Sequence, residues 1–393
     1  MTLSFYLFIL ALFIVFYTYI GYGILLWCLV KIKEMLKKPQ QVDYGKELPD
    51  VTLFITAYNE ENCVEAKMNN SLALNYPKEK LQILWVTDGS TNNTVTKLQT
   101  YKNIRITHQP ERRGKTAALN RGMGEVSTSV TVFTDANTMI NQDAIMLMVQ
   151  QLSDPKVGCV AGEKRIVKQE KESATGGEGA YWHYESALKD LDSRLYSAVG
   201  AAGELFTIRT SLFEEMSSDT LLDDFILSMH IAQKGYRIAY CKDAYAIESA
   251  SKNIQEEEKR KVRISAGGLQ SVLRLKALLN PFRYGLLSFQ YVSHRVLRWT
   301  ITPLAFFLLI PLNILLIIQD TEPVFLYQTI AILQILFYLL SFIGWLYANQ
   351  RVKYKIFFIP YYFLFMNLSV LKGFYYFWKQ RGKPAIWEKA ERS

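Results

Sequence analysis

Three apolar runs in the first 140 residues each end in side chains suited to holding a cation or moving a proton. Ser129–Asn137 closes on Asp135-Ala136-Asn137, Gln82–Ser90 delivers Asp88, and Val51–Glu61 passes into Tyr58, Asn59 and Glu60. Carboxylates and amides are oxygen donors for a hard divalent cation, and such a cation can in turn carry a phosphate group. A second acidic pair, Asp223-Asp224, follows Leu221-Leu222. An acid held near a nucleophile can serve as a general base, and the same pair can equally cap a helix. Arg113 and Lys115 open a helical stretch, where a diphosphate is well placed, although a basic surface cluster would look the same. Arg260 and Arg263 lie three residues apart on one helix face and can clamp a diphosphate.

These residues need elements to position them. The three runs are rich in β-prone residues, with strands also expected at Ile104–Thr107 and Val157–Ala161. Helices are expected at Glu60–Leu74, Thr94–Tyr101, Lys115–Met123 and Gln142–Leu152. Alternating strands and helices predict a largely parallel sheet, whose ligands bind outside the carboxyl ends of its strands. The acidic groups fall at those ends. Gly200–Phe206 is small and flexible, suiting close approach of a substrate, and Lys164–Gly179 reads as a mobile loop near the site.

Several chemistries are excluded. Arg112–Thr116 looks like the end of a P-loop, but Gln109 stands where that motif needs its first glycine. The four cysteines are scattered without metal-site spacing and read as buried thiols in a reducing compartment. No histidine spacing suggests a metal, and no Ser/His/Asp order can be argued.

The net charge of +9 is better explained by a membrane surface than by nucleic acid, because much of the basic excess flanks apolar spans. No charge occurs from Met1 to Val30, after which Lys31–Lys38 is basic. Thirty such residues span a bilayer and read as a retained helix, with the following region cytoplasmic by the positive-inside rule. Trp299–Gln319 and Val324–Ala348 are further spans. Ile356–Leu371, at about 1.5 Å per residue, covers only about 24 Å, short of a core of about 30 Å. The basic residues beyond it favour a cytoplasmic end, whereas four full spans would place them outside. Gln40–Pro49 reads as a linker and Glu256–Arg263 as a solvated charge run. Gly268–Leu279 and Leu286–Arg298 are amphipathic, suited either to the bilayer interface or to packing on the soluble domain.

The ordered set resembles membrane-integrated family 2 glycosyltransferases, the kind that includes hyaluronan, chitin and poly-N-acetylglucosamine synthases. The resemblance implies an α/β GT-A-type nucleotide-sugar-binding domain with a mixed, largely parallel sheet, plus transmembrane helices. It divides the chain into an N-terminal span (1–30), a cytosolic catalytic domain (31–265), interface helices (266–298) and a membrane region (299–393). By that likeness Ala57, Tyr58, Glu60 and Asp88 hold the uridine of a UDP-sugar and Lys115 assists. Asp135 and Asn137 match the Asp-x-Asp motif for Mg2+ or Mn2+, and Asp224, with Asp223 before it, matches the catalytic base.

Three positions depart from the pattern. Asn137 replaces the second aspartate, leaving a ligand of lower charge, and Asp223 stands where Glu is usual. Arg263 matches the arginine of the Gln-x-x-Arg-Trp motif, but Arg260 and Ile264 replace its Gln and Trp, which leaves processive growth open. The implied activity is inverting transfer from a UDP-sugar to a growing glycan at a bacterial inner membrane. Single addition to a lipid-linked acceptor and a non-catalytic membrane subunit are the alternatives, and partner subunits are compatible with each.

Overall fold

A computed structural model describes residues 2–36, 47–166, 175–249, 253–348 and 355–380. Its centre is an eight-stranded sheet of order β3-β2-β1-β4-β7-β6-β8-β5. The strands are β1 (Val51–Ala57), β2 (Leu81–Asp88), β3 (Arg105–Gln109), β4 (Val130–Asp135), β5 (Met139–Ile140), β6 (Val157–Ile166), β7 (Phe206–Arg209) and β8 (Arg237–Glu248). β3, β2, β1 and β4 run parallel, β7 lies antiparallel between β4 and β6, and β6 pairs parallel with β8. The mixed sheet agrees with the fold class expected from the sequence.

β1 is buried at every residue because apolar side chains occupy both of its faces, as a strand covered by helices on both sides requires. On one face, Phe54, Phe133 and Phe206 lie ring against ring at 5.2 and 4.6 Å across β1, β4 and β7. On the other, Val51, Leu53 and Ile55 pack with Trp85 and Val132. The register sets Thr56 opposite Asp135, so the acidic end of β4 sits beside the start of the Tyr58–Glu60 turn.

The helices are α1 (Leu3–Phe16), α2 (Tyr22–Leu36), α3 (Val64–Leu72), α4 (Thr94–Leu98), α5 (Lys115–Met123), α6 (Ala144–Gln151), α7 (Thr175–Leu195), α8 (Asp223–Gln233), α9 (Ile254–Arg274), α10 (Pro281–Tyr291), α11 (Leu297–Trp299), α12 (Ile301–Ile318), α13 (Val324–Leu346) and α14 (Lys355–Gln380). Two single π-helical turns, Tyr17–Gly21 and Val292–Val296, interrupt the first helix and the approach to α11. Among the described residues, four stretches are long and apolar enough to cross a membrane: Leu3–Leu36, α12, α13 and α14.

Three expectations are corrected. The last apolar segment is not a short span: α14 continues through Lys372 to Gln380, and its 26 residues reach about 39 Å. Lys372 lies within this helix and pairs with Glu258 on α9. Glu256–Arg263 is not a solvated face, since Glu257 and Lys261 are buried on α9, which α14 covers. Of the Lys164–Gly179 loop, the first three residues complete β6 and 175–179 begin α7. Residues 167–174 lie outside the described residues, as does most of the Gln40–Pro49 linker.

The amphipathic stretches pack on the domain, with Val272, Leu275, Leu278, Leu287 and Tyr291 joining the sheet's own core. Their outer side leaves Leu273, Leu279 and Leu286 exposed. One side is thus fixed to the domain and the other is apolar.

Candidate active site

The carboxyl ends of β1 and β4 open into one cavity of about 1690 Å³. Eight of the residues singled out from the sequence line it: Glu60, Lys115, Asp135, Asn137, Asp223, Asp224, Arg260 and Arg263. Ala57, Tyr58 and Asp88 do not. Ala57 is buried at the end of β1, and the Arg112 guanidinium covers one face of the Tyr58 ring at 3.9 Å. Asp88 is buried, and its carboxylate accepts the backbone N–H groups of Arg113 and Gly114 at 3.1 and 2.7 Å. It thereby fixes the turn that starts α5. Gly89 permits this turn: its φ is +64°, and a Cβ there would stand 2.7 Å from the Arg112 nitrogen.

Lys115, at the first position of α5, holds the acidic groups together. Its Nζ is 2.8 Å from Asp135 Oδ1 and 3.7 Å from Asp223 Oδ2. Burial opposes its charge, but Asp135, Asp223 and Asp224 outweigh burial and raise its pKa. Asp224 opens α8 and moves the other way. Burial first, then the Asp223 carboxylate, push its carboxyl up to about 7, against the pull of Lys115. A carboxyl poised near neutrality suits proton transfer at neutral pH. Gly203 gives it room, since a Cβ there would meet both Asp224 Oδ2 and Lys115 Nζ at 3.3 Å.

The donor set fits a cation shared with a ligand better than one caged by protein alone. Asp135 and Asn137 offer oxygens to the cavity, and the Asp135 carboxylate already draws the Lys115 ammonium. Among the described residues no group of three or more His, Cys, Asp or Glu converges. Phosphate oxygens and water would complete such a shell.

Sequence reasoning missed three contributors. Lys67 on α3 is fully buried beneath Asp135, donating to Thr134 Oγ1 at 2.9 Å and the Thr138 carbonyl at 2.6 Å. Burial lowers its pKa to about 7, with Asp135 opposing. The buried set Val64, Lys67, Met68 and Ser71 has helical spacing, a signal that would have placed this lysine inside. Glu204, within the Gly200–Phe206 stretch, lines the cavity and is engaged by Lys164, which also binds Glu248. Glu185 on α7 joins Arg295, Arg298 and His294, and no local signal announces it.

A phosphate-compatible basic and acidic cluster at strand ends is common to several fold families, and the match over residues 52–217 to the family described as "Glycosyl transferase family 2" decides among them. Over these residues the chain is similar to family 2 glycosyltransferases. A poly-beta-1,6-N-acetyl-D-glucosamine synthase of Staphylococcus aureus is 29% identical over 254 residues, 62% of this chain and 60% of that protein. The Staphylococcus epidermidis synthase is 26% identical over 239 residues, 58% and 57% of the two chains. The alignment thus spans about 60% of the length of these relatives. Among solved structures, a mannosyltransferase from Pyrobaculum calidifontis, in complex with GDP-Man and Mn2+, superposes with a TM-score of 0.69 at 21% identity. That similarity covers 95% of this chain and 99% of the other. It shows that the fold is shared over nearly the whole of both chains.

Proposed function

We propose that the protein is a membrane glycosyltransferase that moves a hexosyl or N-acetylhexosaminyl group from a UDP-sugar to a growing glycan, with inversion. The observation that carries this is the Asp224 carboxyl, half-buried beside Gly203 and facing Lys115, with its pKa raised to about 7. Asp224 takes the proton from an acceptor hydroxyl as that oxygen attacks the anomeric carbon, and the bond to the diphosphate breaks on the opposite side. Asp223 keeps the proton affinity of Asp224 high. Lys115, Arg260 and Arg263 supply positive charge to the diphosphate, and Glu60, with Ala57, Tyr58 and Asp88 shaping the adjoining turns, holds the nucleoside. A divalent cation, Mg2+ or Mn2+, held by Asp135 and Asn137, would act as a Lewis acid toward the leaving diphosphate.

The staphylococcal synthases support the glycan product, and the Mn2+ in the mannosyltransferase structure supports the cation. The four apolar helices and the basic Lys31–Lys38 support a bacterial inner-membrane protein with its catalytic domain in the cytoplasm. A second reading, single addition to a lipid-linked acceptor, is favoured by the reach of the cavity to Tyr19, Ile20 and Phe363 on two membrane helices.

The test is UDP release by purified protein in detergent with Mn2+ or Mg2+ across a panel of UDP-sugars, with products sized by mass spectrometry. Release with one donor and a ladder of products is expected. A single-addition product would move the assignment to the second reading, and no release from protein that binds UDP would overturn both.

A further inference from the structure

The cavity has a second cationic wall that the donor chemistry leaves unused. Lys189, on α7, is 6% exposed, lines the cavity, and makes no hydrogen bond or ion pair among the described residues. Arg295 and Arg298 line the same wall, both bound to Glu185, with Arg295 Nη1 3.0 Å from Glu185 Oε2. The Arg295 Nε is buried without a hydrogen-bond partner among the described residues. Among the described residues, Arg295 and Arg298 therefore share the Glu185 carboxylate, and Lys189 beside them has no ion pair of its own. Of the other acids near Lys189, Glu204 is bound to Lys164, and Asp224 stands in the field of Lys115. Burial and the Arg295 guanidinium both lower the pKa of Lys189, as expected of an ammonium that lacks an anion. Buried charge of this kind is costly unless paired, so the wall is built to receive a negative group.

This wall is separate from the donor side. The acids acting on Lys115 are Asp135, Asp223 and Asp224, whereas the groups acting on Lys189 are Arg295, Glu185, Glu204 and Asp224. Asp224 acts on both. Beyond Lys189 the lining turns apolar and belongs to membrane helices. Val15, Phe16 and Ile20 come from the first, and Phe363, Met366 and Val370 from α14. Tyr19 bridges these two helices by donating to Asn367 Oδ1 at 2.7 Å. A ligand seated here meets positive charge at one end and hydrocarbon-like side chains at the other.

We propose that Lys189, with Arg295 and Arg298, forms a phosphate subsite for a membrane lipid that carries the acceptor. The hydrocarbon chain lies between the first membrane helix and α14, and the head group points to Asp224. The last step rests on the reading of Asp224 as the base, while the subsite itself does not.

The test uses the full chain in phosphatidylcholine nanodiscs, titrated separately with polyprenyl phosphate, the uncharged polyprenol and inorganic phosphate. Binding is read by native mass spectrometry, and UDP binding is measured on the same samples. The native protein is expected to bind polyprenyl phosphate about tenfold or more tighter than polyprenol. Lys189→Met should erase that preference and Lys189→Arg should keep most of it, both with UDP affinity within about twofold of native, which also certifies their folding. An undiminished preference in Lys189→Met would overturn the subsite. Inorganic phosphate displacing the lipid at equal concentration would overturn the lipid assignment. Loss of UDP binding by the native protein would contradict the donor reading instead.

Discussion

The two walls of the cavity hold similar charged groups but are built differently. The donor wall is assembled from residues at the ends of adjacent parallel strands and the turns that follow them. β1, β2 and β4 run side by side, so Glu60 and Asp135, with Asp88 behind them bracing the start of α5, are brought to one sheet edge by the topology itself. The membrane wall is assembled from helix faces far apart in the chain. Glu185 meets Arg298 across 113 residues, and Asp192 meets Tyr22 at 2.5 Å across 170. Asp192 also takes Gln290 at 3.0 Å and His294 at 2.5 Å, tying α7 to the first membrane helix and to the turn before α11. A strand edge positions catalytic groups by backbone register, whereas helix faces do so by buried polar pairing.

This difference can be broken experimentally. The largest effect is expected at the polar pairing. Glu185→Ala strands Arg295 and Arg298 in a buried setting and should cost about 3–5 kcal/mol. Thermal unfolding in detergent should fall steeply, and UDP affinity of the folded fraction should stay within about twofold. A large loss of UDP affinity in that fraction would mean that the two walls are one unit.

The donor wall gives a pH signature. With Asp224 as base, turnover should rise with pH and reach half its plateau near 7, because only the carboxylate can accept the proton. Removing the neighbouring negative charge in Asp223→Asn lowers the pKa of Asp224, so the acid limb should move to lower pH by about one unit. A pH–rate profile for the variant checks the sign, and an upward shift would contradict the arrangement.

A smaller change sharpens the cation reading. Asn137→Asp adds a charged oxygen donor and should lower the half-activating Mn2+ concentration by about tenfold. The readout is UDP release as a function of Mn2+, and an unchanged midpoint would remove position 137 from the cation site.

The donor wall was legible in the sequence because its residues sit where β-prone apolar runs stop, and a parallel sheet aligns those stops. Even there the reading of Lys115 was incomplete, since the acids it joins, Asp135 and Asp223, are 88 residues apart in the chain. The membrane wall was not legible. Lys189 is one of several charged residues on α7, and nothing local marks its face as the buried one. Glu256–Arg263 looked solvated because a charge run with no visible partner usually is, and its cover is α14, about a hundred residues away. Local pattern reads residues whose surroundings are local, and tertiary pairing lies outside its reach.

The measurement closest to the central claim compares the native protein with Asp224→Asn in one nanodisc preparation, recording UDP affinity and sugar-dependent UDP release together. The account predicts UDP affinity within about twofold of native and a loss of transfer of about 10²–10⁴-fold, the range expected for removing a general base. Native turnover in Asp224→Asn would contradict it.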